Sequence, residues 1–548
     1  MTRLCLLVLL VGLLFAAPVP NPAPKYTISG VVISEQTNQP IKHALVTITQ
    51  NDHPDRAASL YTAADGRFTF TDVPGGKFTM QAAVRGVERL LNQDGQFSTG
   101  IVTAPGIDSE HIVFRFPITA NITLKVQDEQ GEPVPNAQVA LFGERVNAGW
   151  QQVNIIQQSG TDNDGAARLS HIEPGARYYI AVFGRPWYSQ DQMSGMPNTN
   201  QSEIAALDVA YPPTYYPNSQ SPDGAAPIIL GPGERATLQM TLHAVPAIKI
   251  SVDGLPSASE QSQQSRGGVR SFVEIVGPQG VRFMVNAGAS YSNDGGLEIH
   301  GLAPGNYIVS LSRVGMRRHF PEALGSARVS ASGDTHINAN DLPRTSVTGK
   351  LTLEGSGNPG GLAVWLMQPT TGHTAMCRAA HDGAFECREG RGMGEVVQPG
   401  RYEIRLANST EFYIKSVSAQ GAHYAGGLLD VREGASIALA VVAAKGSTKL
   451  DGIALRTGKP LAGAMVLLVP RDAGSAADIP RDQSDSDGTF TLPNVHPGPY
   501  YLLAIDNGRN LVYHDPKVIA PYLANAQKIT IPLAREERVS VTVQPRVP

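Results

Sequence analysis

One recurring pattern constrains the fold of this chain more than any other feature. In its last copy, residues 484–505 read SDSDGTFTLPNVHPGPYYLLAI. Asp487-Gly488 tolerates positive φ and predicts a tight hairpin turn, after which Phe490 and Leu492 alternate as the buried face of the returning strand. Pro497-Gly498 ends that strand and a second strand follows. The pattern therefore predicts one hairpin followed by one corner.

The same combination occurs four times upstream, at a spacing of roughly one hundred residues. The turn and corner pairs are Asp65-Gly66 with Pro74-Gly75, Asp164-Gly165 with Pro174-Gly175, Asp294-Gly295 with Pro304-Gly305, and Asp382-Gly383 with Pro399-Gly400. Gly383 and Pro399 are farther apart than their equivalents, which indicates an insertion in that copy. Recurrence at this period indicates five similar domains, each built from the same supersecondary unit.

Short alternating strands surround every copy, and the composition fits them. The chain has 56 glycines and 40 prolines, yet 42% of its residues are hydrophobic, which describes a turn-rich β protein with packed cores. About seven short strands per ~100 residues describe a two-sheet sandwich. We therefore predict an all-β fold, a signal peptide followed by five tandem immunoglobulin-like or transthyretin-like β-sandwich domains. Their predicted boundaries are 25–118, 119–245, 246–344, 345–446 and 447–548.

The N-terminus has the pattern of a secretory signal peptide at residues 1–17. Arg3 gives a short basic region, residues 4–15 form an apolar run, and Ala16-Ala17 supplies small residues for cleavage. Pro18 makes cleavage directly after Ala17 awkward, so cleavage after Ala16 or an uncleaved anchor stays open. The pattern predicts an exported protein, periplasmic or extracellular, and no later stretch is long enough to span a membrane.

Cys377 and Cys387 are the two cysteines outside the predicted signal peptide, and they flank His381-Asp382-Gly383. If those three residues form the loop, the cysteines lie directly opposite each other across the hairpin. Cys387 has the same parity as Phe385, so the pair points into the core, and an oxidising compartment favours a disulfide. The alternative is two buried thiols that never pair. Two cysteines beside one histidine make a poor zinc site.

Several segments together resemble the carboxypeptidase regulatory-like domain. They are Gly30-Val31-Val32, Pro40-Ile41-Lys42-His43-Ala44, Asp65-Gly66-Arg67-Phe68 and Val73-Pro74-Gly75. The last domain matches as well as the first, the second and fourth match in outline, and the third matches mainly at its hairpin and corner. The resemblance implies a transthyretin-like sandwich with a carbohydrate-binding-like fold, found as a non-catalytic module in bacterial exported proteins.

The candidate motifs for chemistry are better explained as loops. His319-Phe320-Pro321-Glu322 has the spacing of a zinc carboxypeptidase pair but no α/β surroundings, and the dinucleotide-like run at residues 355–360 is followed by a strand, not a helix. Asp162-Asn163-Asp164-Gly165 and Asp485-Ser486-Asp487-Gly488 resemble the start of a calcium loop but lack its closing acid. We predict no enzyme activity, no cofactor and no metal. A net charge of −4 without a basic run argues against nucleic acid as a partner.

The second predicted domain contains the most plausible binding residues, on or near a long loop at residues 185–227. They are aromatic: Trp150, Trp187, Tyr188, Tyr211, Tyr215 and Tyr216. An exposed row of such rings would stack against sugars, whereas the alternative is that the rings pack the loop's own small core.

The sequence predicts an exported, non-catalytic binding or scaffold protein of the bacterial cell envelope, with a polysaccharide or an envelope protein as partner. The alternatives are a peptidase-associated regulatory protein and a mechanical spacer.

Overall fold

The structure is a computed structural model that describes residues 24–546, except 86, 94–96, 191–207, 256–268, 286, 292–295, 314–321, 356, 390–396, 408, 410, 447, 472–478 and 533–536. Strands dominate the described residues, which confirms the predicted all-β class. The predicted signal peptide, the Asp294-Gly295 turn and residues 319–321 of the carboxypeptidase-like segment lie outside the described residues.

We call the five predicted domains units one to five, in chain order. Units one and two each form two sheets. The strands of unit one are β1 (Lys25–Ser34), β2 (Leu45–Gln50), β3 (His53–Tyr61), β4 (Arg67–Pro74), β5 (Gly76–Val84), β6 (Val87–Leu90), β7 (Ile101–Thr103) and β8 (Ile112–Phe116). Unit two contains β9 (Ala120–Gln127), β10 (Gln138–Asn147), β11 (Trp150–Gly160), β12 (Ala166–Ile172), β13 (Arg177–Gly184), the short helix α1 (Trp187–Gln190), β14 (Val209–Tyr215), β15 (Ile228–Ile229), β16 (Arg235–Thr241) and β17 (Val245–Pro246). Part of the predicted long loop is therefore strand β14, which pairs with β13.

Unit three forms two four-stranded sheets, and unit four forms one continuous nine-stranded sheet. The strands of unit three are β18 (Ile248–Asp253), β19 (Val269–Val276), β20 (Arg282–Met284), β21 (Gly288–Tyr291), β22 (Leu297–Leu302), β23 (Gly305–Arg313), β24 (Glu322–Ala331) and β25 (Thr335–Asn338). Those of unit four are β26 (Ser346–Leu353), β27 (Ala363–Met367), β28 (Thr374–Arg378), β29 (Ala384–Glu389), β30 (Gly400–Ala407), β31 (Phe412–Gln420), β32 (His423–Ala425), β33 (Leu428–Val431) and β34 (Ser436–Lys445).

Unit five forms an eight-stranded sheet and contains the longer of the two α-helices that the structure describes. Its elements are β35 (Thr448–Arg456), β36 (Lys459–Pro460), β37 (Met465–Pro470), β38 (Arg481–Gln483), β39 (Thr489–Val495), β40 (Gly498–Ile505), α2 (Pro516–Leu523), β41 (Gln527–Ile531) and β42 (Glu537–Gln544). In the described part of the chain, neither helix has the length and apolar character needed to cross a bilayer.

One strand arrangement occurs five times in the described structure. The first strand of each unit pairs antiparallel with a middle strand and parallel with the last strand, or in unit two with β16, the last strand but one. In unit one, for example, β1 lies between β4 and β8. This recurrence supports the predicted boundaries at 25–118, 119–245, 246–344, 345–446 and 447–548, which we propose as the domain limits.

Three of the Asp-Gly turns differ from the predicted hairpins. In units three and four the described strands on either side of the Asp-Gly pair do pair with each other, β21 with β22 and β28 with β29. Among the described strands of units one, two and five, the strand before the turn does not pair with the strand after it, which pairs with the first strand of its unit. The hairpin prediction was therefore wrong for these three turns.

A close contact with the first strand explains the glycine of each described turn. The glycine carbonyl accepts a hydrogen bond from a first-strand N–H, at 2.9 Å for Gly66 and 2.8 Å for Gly165, Gly383 and Gly488. All four glycines have positive φ. A Cβ on Gly165 would lie only 2.3 Å from the carbonyl oxygen of Val126. Neither the backbone conformation nor the space therefore suits a side chain.

We expect Gly165→Ala to destabilise unit two by about 2 to 3 kcal/mol, from backbone strain and displacement of β9. Gly175→Ala is the matched control, since Gly175 also has positive φ, 80°, but a Cβ there would meet no atom within 4 Å. It should cost about 1 kcal/mol. Calorimetric unfolding of both variants checks this, and equal losses would show that the contact with β9 is unimportant.

The tyrosines of the Pro-Gly corners have a structural role that the sequence pattern alone did not reveal. Each phenolic O–H donates to a backbone carbonyl just upstream: Tyr178 to Glu173 (2.7 Å), Tyr307 to Ala303, Tyr402 to Gln398 (2.9 Å) and Tyr500 to His496 (3.0 Å). Burial raises the pKa of Tyr178 to about 12, so its hydroxyl stays a donor at neutral pH. These bonds fix the corner between two strands.

Candidate functional site

Three of the six predicted binding residues contribute to packing. Tyr211 is buried in the core of unit two, and Tyr216 packs against that core. Tyr215 is buried in a hydrophobic cluster shared by units two and three, and its hydroxyl donates to the Val276 carbonyl at 3.3 Å. These rings are packed, but into the core of unit two and the cluster shared with unit three and not into a separate small core of the loop.

Trp187 and Tyr188 lie together at the surface on α1. Trp187 is 58% exposed, and its ring meets the Tyr188 ring edge-on with centroids 5.7 Å apart. Burial raises the pKa of the partly covered Tyr188. Trp187 is thus the one member of the predicted set with a largely exposed ring, and the structure does not assemble the six residues into a single exposed row.

Trp150 lies at a junction of three units. It begins β11, and the turn before it reaches unit five, where a Cβ on Gly149 would contact the ring of Tyr513. The Trp150 indole stacks on the imidazole of His514, with centroids 4.2 Å apart and planes inclined by 12°. Its Nε1–H donates to Oε1 of Glu403 in unit four at 2.8 Å. One side chain therefore connects units two, four and five.

At this junction the carboxylate of Glu403 is paired with a cation, and the imidazole of His514 is uncharged. Glu403 is buried and pairs with Arg405, whose Nη2 lies 2.8 Å from Oε2. Burial, and secondarily the positive charge of Arg405, lowers the pKa of His514 to about 4. His514 is therefore neutral at pH 7, which suits its position against the indole face. Nearby, Gln152 donates to the Pro369 carbonyl at 2.5 Å and extends the contact between units two and four.

The lowered pKa of His514 gives a testable pH dependence. The packed junction favours the neutral ring, so its contribution to stability is complete above about pH 6.5 and is lost as the pH falls toward 4, by about 3 kcal/mol in total. We expect the stability advantage of the wild type over His514→Gln to fall by about this amount between pH 7 and pH 4. Calorimetric scans across this pH range measure it, and a constant difference would contradict the assignment.

A second junction joins the first and last units. Lys77 Nζ in unit one lies 2.5 Å from Oδ2 of Asp485, in the turn of unit five. The Asp485 side chain is only 5% exposed, whereas that of Lys77 is 42% exposed. The carboxylate also accepts a hydrogen bond from the Gly100 N–H at 3.0 Å. A charge buried in unit five is thus neutralised by unit one.

Further polar contacts surround this ion pair. Ser486 donates its backbone N–H to the Gly100 carbonyl and accepts the Val102 N–H on Oγ. Gln483 donates from Nε2 to Thr99 Oγ1 at 2.8 Å. Burial raises the pKa of Asp485 to about 6, an effect that Lys77 opposes. The junction is therefore polar, and its polar groups form hydrogen bonds and an ion pair between units one and five.

The Asp-Gly turns do not form a metal site in the described structure. Asp162 Oδ1 accepts the N–H groups of Asp164 and Ala166 within its own turn, while Asp485 faces Lys77. Among the described residues, no three His, Cys, Asp or Glu side chains are grouped so that they could hold a metal ion. Lys77, Glu403 and His514 were not predictable from the sequence, because nothing local distinguishes them from surface residues.

Cys377 and Cys387 are directly opposite each other in the β28–β29 pair, are buried, and are joined through their sulfur atoms. We propose that the exported protein contains this disulfide. The purified mature chain should then be inert to thiol reagents until it is reduced, and reduction should cost unit four about 2 to 3 kcal/mol. A Cys377→Ala, Cys387→Ala variant is the control, since reductant should not alter its unfolding. Free thiols in the exported, unreduced protein would contradict the proposal.

Residues 27–103 match the family model of the carboxypeptidase regulatory-like domain. This agrees with the resemblance expected for unit one. No curated protein matches the chain.

Solved structures of bacterial proteins, including pilins, share a distant likeness. GBS52, the minor pilin of Streptococcus agalactiae, is 13% identical over 40% of this chain and 97% of its own, with a TM-score of 0.21. The TIE protein of Bacillus anthracis is 11% identical over 96% of this chain and 76% of its own, with a TM-score of 0.16. BcpA, the major pilin subunit of Bacillus cereus, is 9% identical over 95% of this chain and 99% of its own, with a TM-score of 0.12. These likenesses say nothing about what the chain binds.

Proposed function

We propose that this chain, whose first unit matches the carboxypeptidase regulatory-like domain, is an exported, non-catalytic scaffold of the bacterial cell envelope. It would present a compact group of β-sandwiches to a partner protein or polysaccharide. The observation that carries the proposal is that the buried charged and aromatic groups at the junctions join one unit to another. Lys77 with Asp485 and Trp150 with Glu403 are the main examples.

This packing favours a scaffold over the two alternatives. A mechanical spacer would gain reach from units in a line, whereas here unit five contacts units one, two and four. A peptidase would need a nucleophile or metal beside an open cleft. The ionisable groups described above instead neutralise one another at interfaces.

The test is cross-linking in intact cells that express the full chain. We expect the chain in the envelope fraction, with its N-terminal segment removed, and one discrete cross-linked partner. The junction variant Lys77→Ala, still exported, should lose or redistribute that cross-link, while the exposed-pair variant Lys25→Ala should keep it. A chain that stays in the cytoplasm, or that hydrolyses peptides when purified, would overturn the proposal.

A second candidate function, sugar binding on α1, is favoured by the exposed ring of Trp187 beside Tyr188. A glycan array of the purified chain tests it, with Trp187→Ala as the site variant. Tyr61→Ala is the matched control, because Tyr61 in unit one is 68% exposed and lies outside this surface. Binding lost only in Trp187→Ala would support a sugar site there, and binding kept by both variants would rule it out.

A further inference from the structure

A cleft of about 500 Å³ lies between units two and three. This volume is within the range of about 300 to 1,000 Å³ that is typical of small-molecule sites, which often occur between domains. Unit two contributes the wall around Pro212, Pro213 and Tyr215. Unit three contributes its Pro-Gly corner and part of β24, including Arg328.

The walls of the cleft are held in place by the contact between the two units. Phe283 of unit three packs against Phe142 and Phe183 of unit two, with ring centroids 5.2 and 5.4 Å apart. These rings belong to one continuous buried cluster that crosses the boundary. The Tyr215 hydroxyl adds its bond to the Val276 carbonyl, at the cleft itself. The cleft is therefore formed before any ligand arrives, which lowers the entropic cost of binding.

Among the described residues that line the cleft, one is charged, and it is the arginine Arg328. Arg328 is exposed. None of the described residues that line the cleft is an aspartate or a glutamate. The other polar side chains are neutral, and they include Gln220, Asn306 and Ser330, with Ser330 Oγ donating to Asn306 Oδ1 at 2.5 Å. The amide nitrogens of Gln220 and Asn306 supply donors beside the arginine.

The remaining lining is apolar and stiff. Prolines 212, 213, 222 and 304 contribute rigid rings on both sides of the cleft. Proline rings lose little conformational entropy when a ligand covers them. A suitable ligand therefore has a flat apolar face, several hydroxyl groups and a carboxylate.

We propose that this cleft binds an acidic oligosaccharide, whose uronic carboxylate pairs with the Arg328 guanidinium. Arginine binds carboxylates through two parallel hydrogen bonds, which gives orientation as well as affinity. The ring hydroxyls would meet Gln220, Asn306 and Ser330, and the C–H faces would lie on the prolines. The inference rests on the proposed binding function and names a ligand class for it.

Isothermal titration calorimetry of the purified mature chain with a uronic-acid trisaccharide tests the proposal. We expect saturable binding that Arg328→Gln weakens about tenfold or more, the loss of one charge-assisted contact. Asn306→Ala should weaken it by a smaller factor. Arg270→Gln is the matched control, because Arg270 is an exposed arginine on β19 of the same unit and does not line the cleft. It should bind like the wild type.

Two further ligands define the class. A neutral trisaccharide of equal length should bind at least tenfold more weakly, and an acidic peptide with prolines should not compete. No binding of the acidic sugar, equal binding by Arg328→Gln, or tighter binding of the peptide would overturn the inference. These outcomes leave the cross-linking result for the scaffold unaffected, so the two proposals fail separately.

Discussion

Replacing Trp150 by alanine should destabilise the junction of units two, four and five by about 3 to 5 kcal/mol. The variant loses the stacking contact with His514 and leaves a cavity between three units. It also removes the indole N–H that donates to Glu403, a buried carboxylate that then keeps only part of its hydrogen bonding. Calorimetry of the full chain should show the first unfolding transition lowered by at least about 10 °C.

Trp187→Ala is the control for this prediction, because it removes the same side chain from the same unit at a position that is 58% exposed. Its transition should move by no more than a few degrees, as expected for about 0.5 kcal/mol or less. If Trp150→Ala behaved like Trp187→Ala, the Trp150 contacts would not hold the units together in solution.

Lys77→Ala should have an effect of similar size at the junction of units one and five, about 3 kcal/mol at pH 8. Asp485 would remain buried without its cationic partner, which is the costly way to break a buried ion pair. The cost should shrink below pH 6. Burial already raises the pKa of Asp485 to about 6, and without Lys77 this pKa rises further, so the carboxyl becomes neutral as the pH falls. Unfolding at pH 5 and pH 8 measures the difference.

Two variants test the cause of this loss. Lys25→Ala breaks a surface pair with Asp72 in the same unit, where both side chains are about two-thirds exposed, and should cost at most about 1 kcal/mol. Lys77→Met with Asp485→Asn removes both charges and should recover most of the stability. A double variant as unstable as Lys77→Ala would mean that the charge of Asp485 is not responsible.

The strands and turns inside each unit were predictable because their signals are local. The alternation of Phe490 and Leu492 marks a face that is buried, and Gly488 marks a turn with positive φ. The sequence did not reveal with which strand, and in which sheet, the strand after each turn pairs. Pairing with the first strand, seen for Gly66 and Gly165, depends on contacts between distant segments.

The contacts between units were beyond prediction from one sequence. Gly100 and Asp485 lie 385 residues apart, and their meeting depends on how whole units are oriented. Asp485 also lies in the same turn motif as Asp162, which caps its own turn instead. The first aspartate of the same Asp-x-Asp-Gly pattern thus has two roles, and in unit five its role depends on contact with a neighbouring unit. For the same reason Trp150 resembled a surface aromatic residue in the sequence.

Small-angle X-ray scattering of the purified chain tests whether the five units pack into one compact scaffold. We expect a single-peaked distance distribution and a radius of gyration near that of a compact protein of this length, about 24 Å, or a few Å larger. An extended profile with about twice that radius would show that the units do not pack together, because Lys77 could not then reach Asp485.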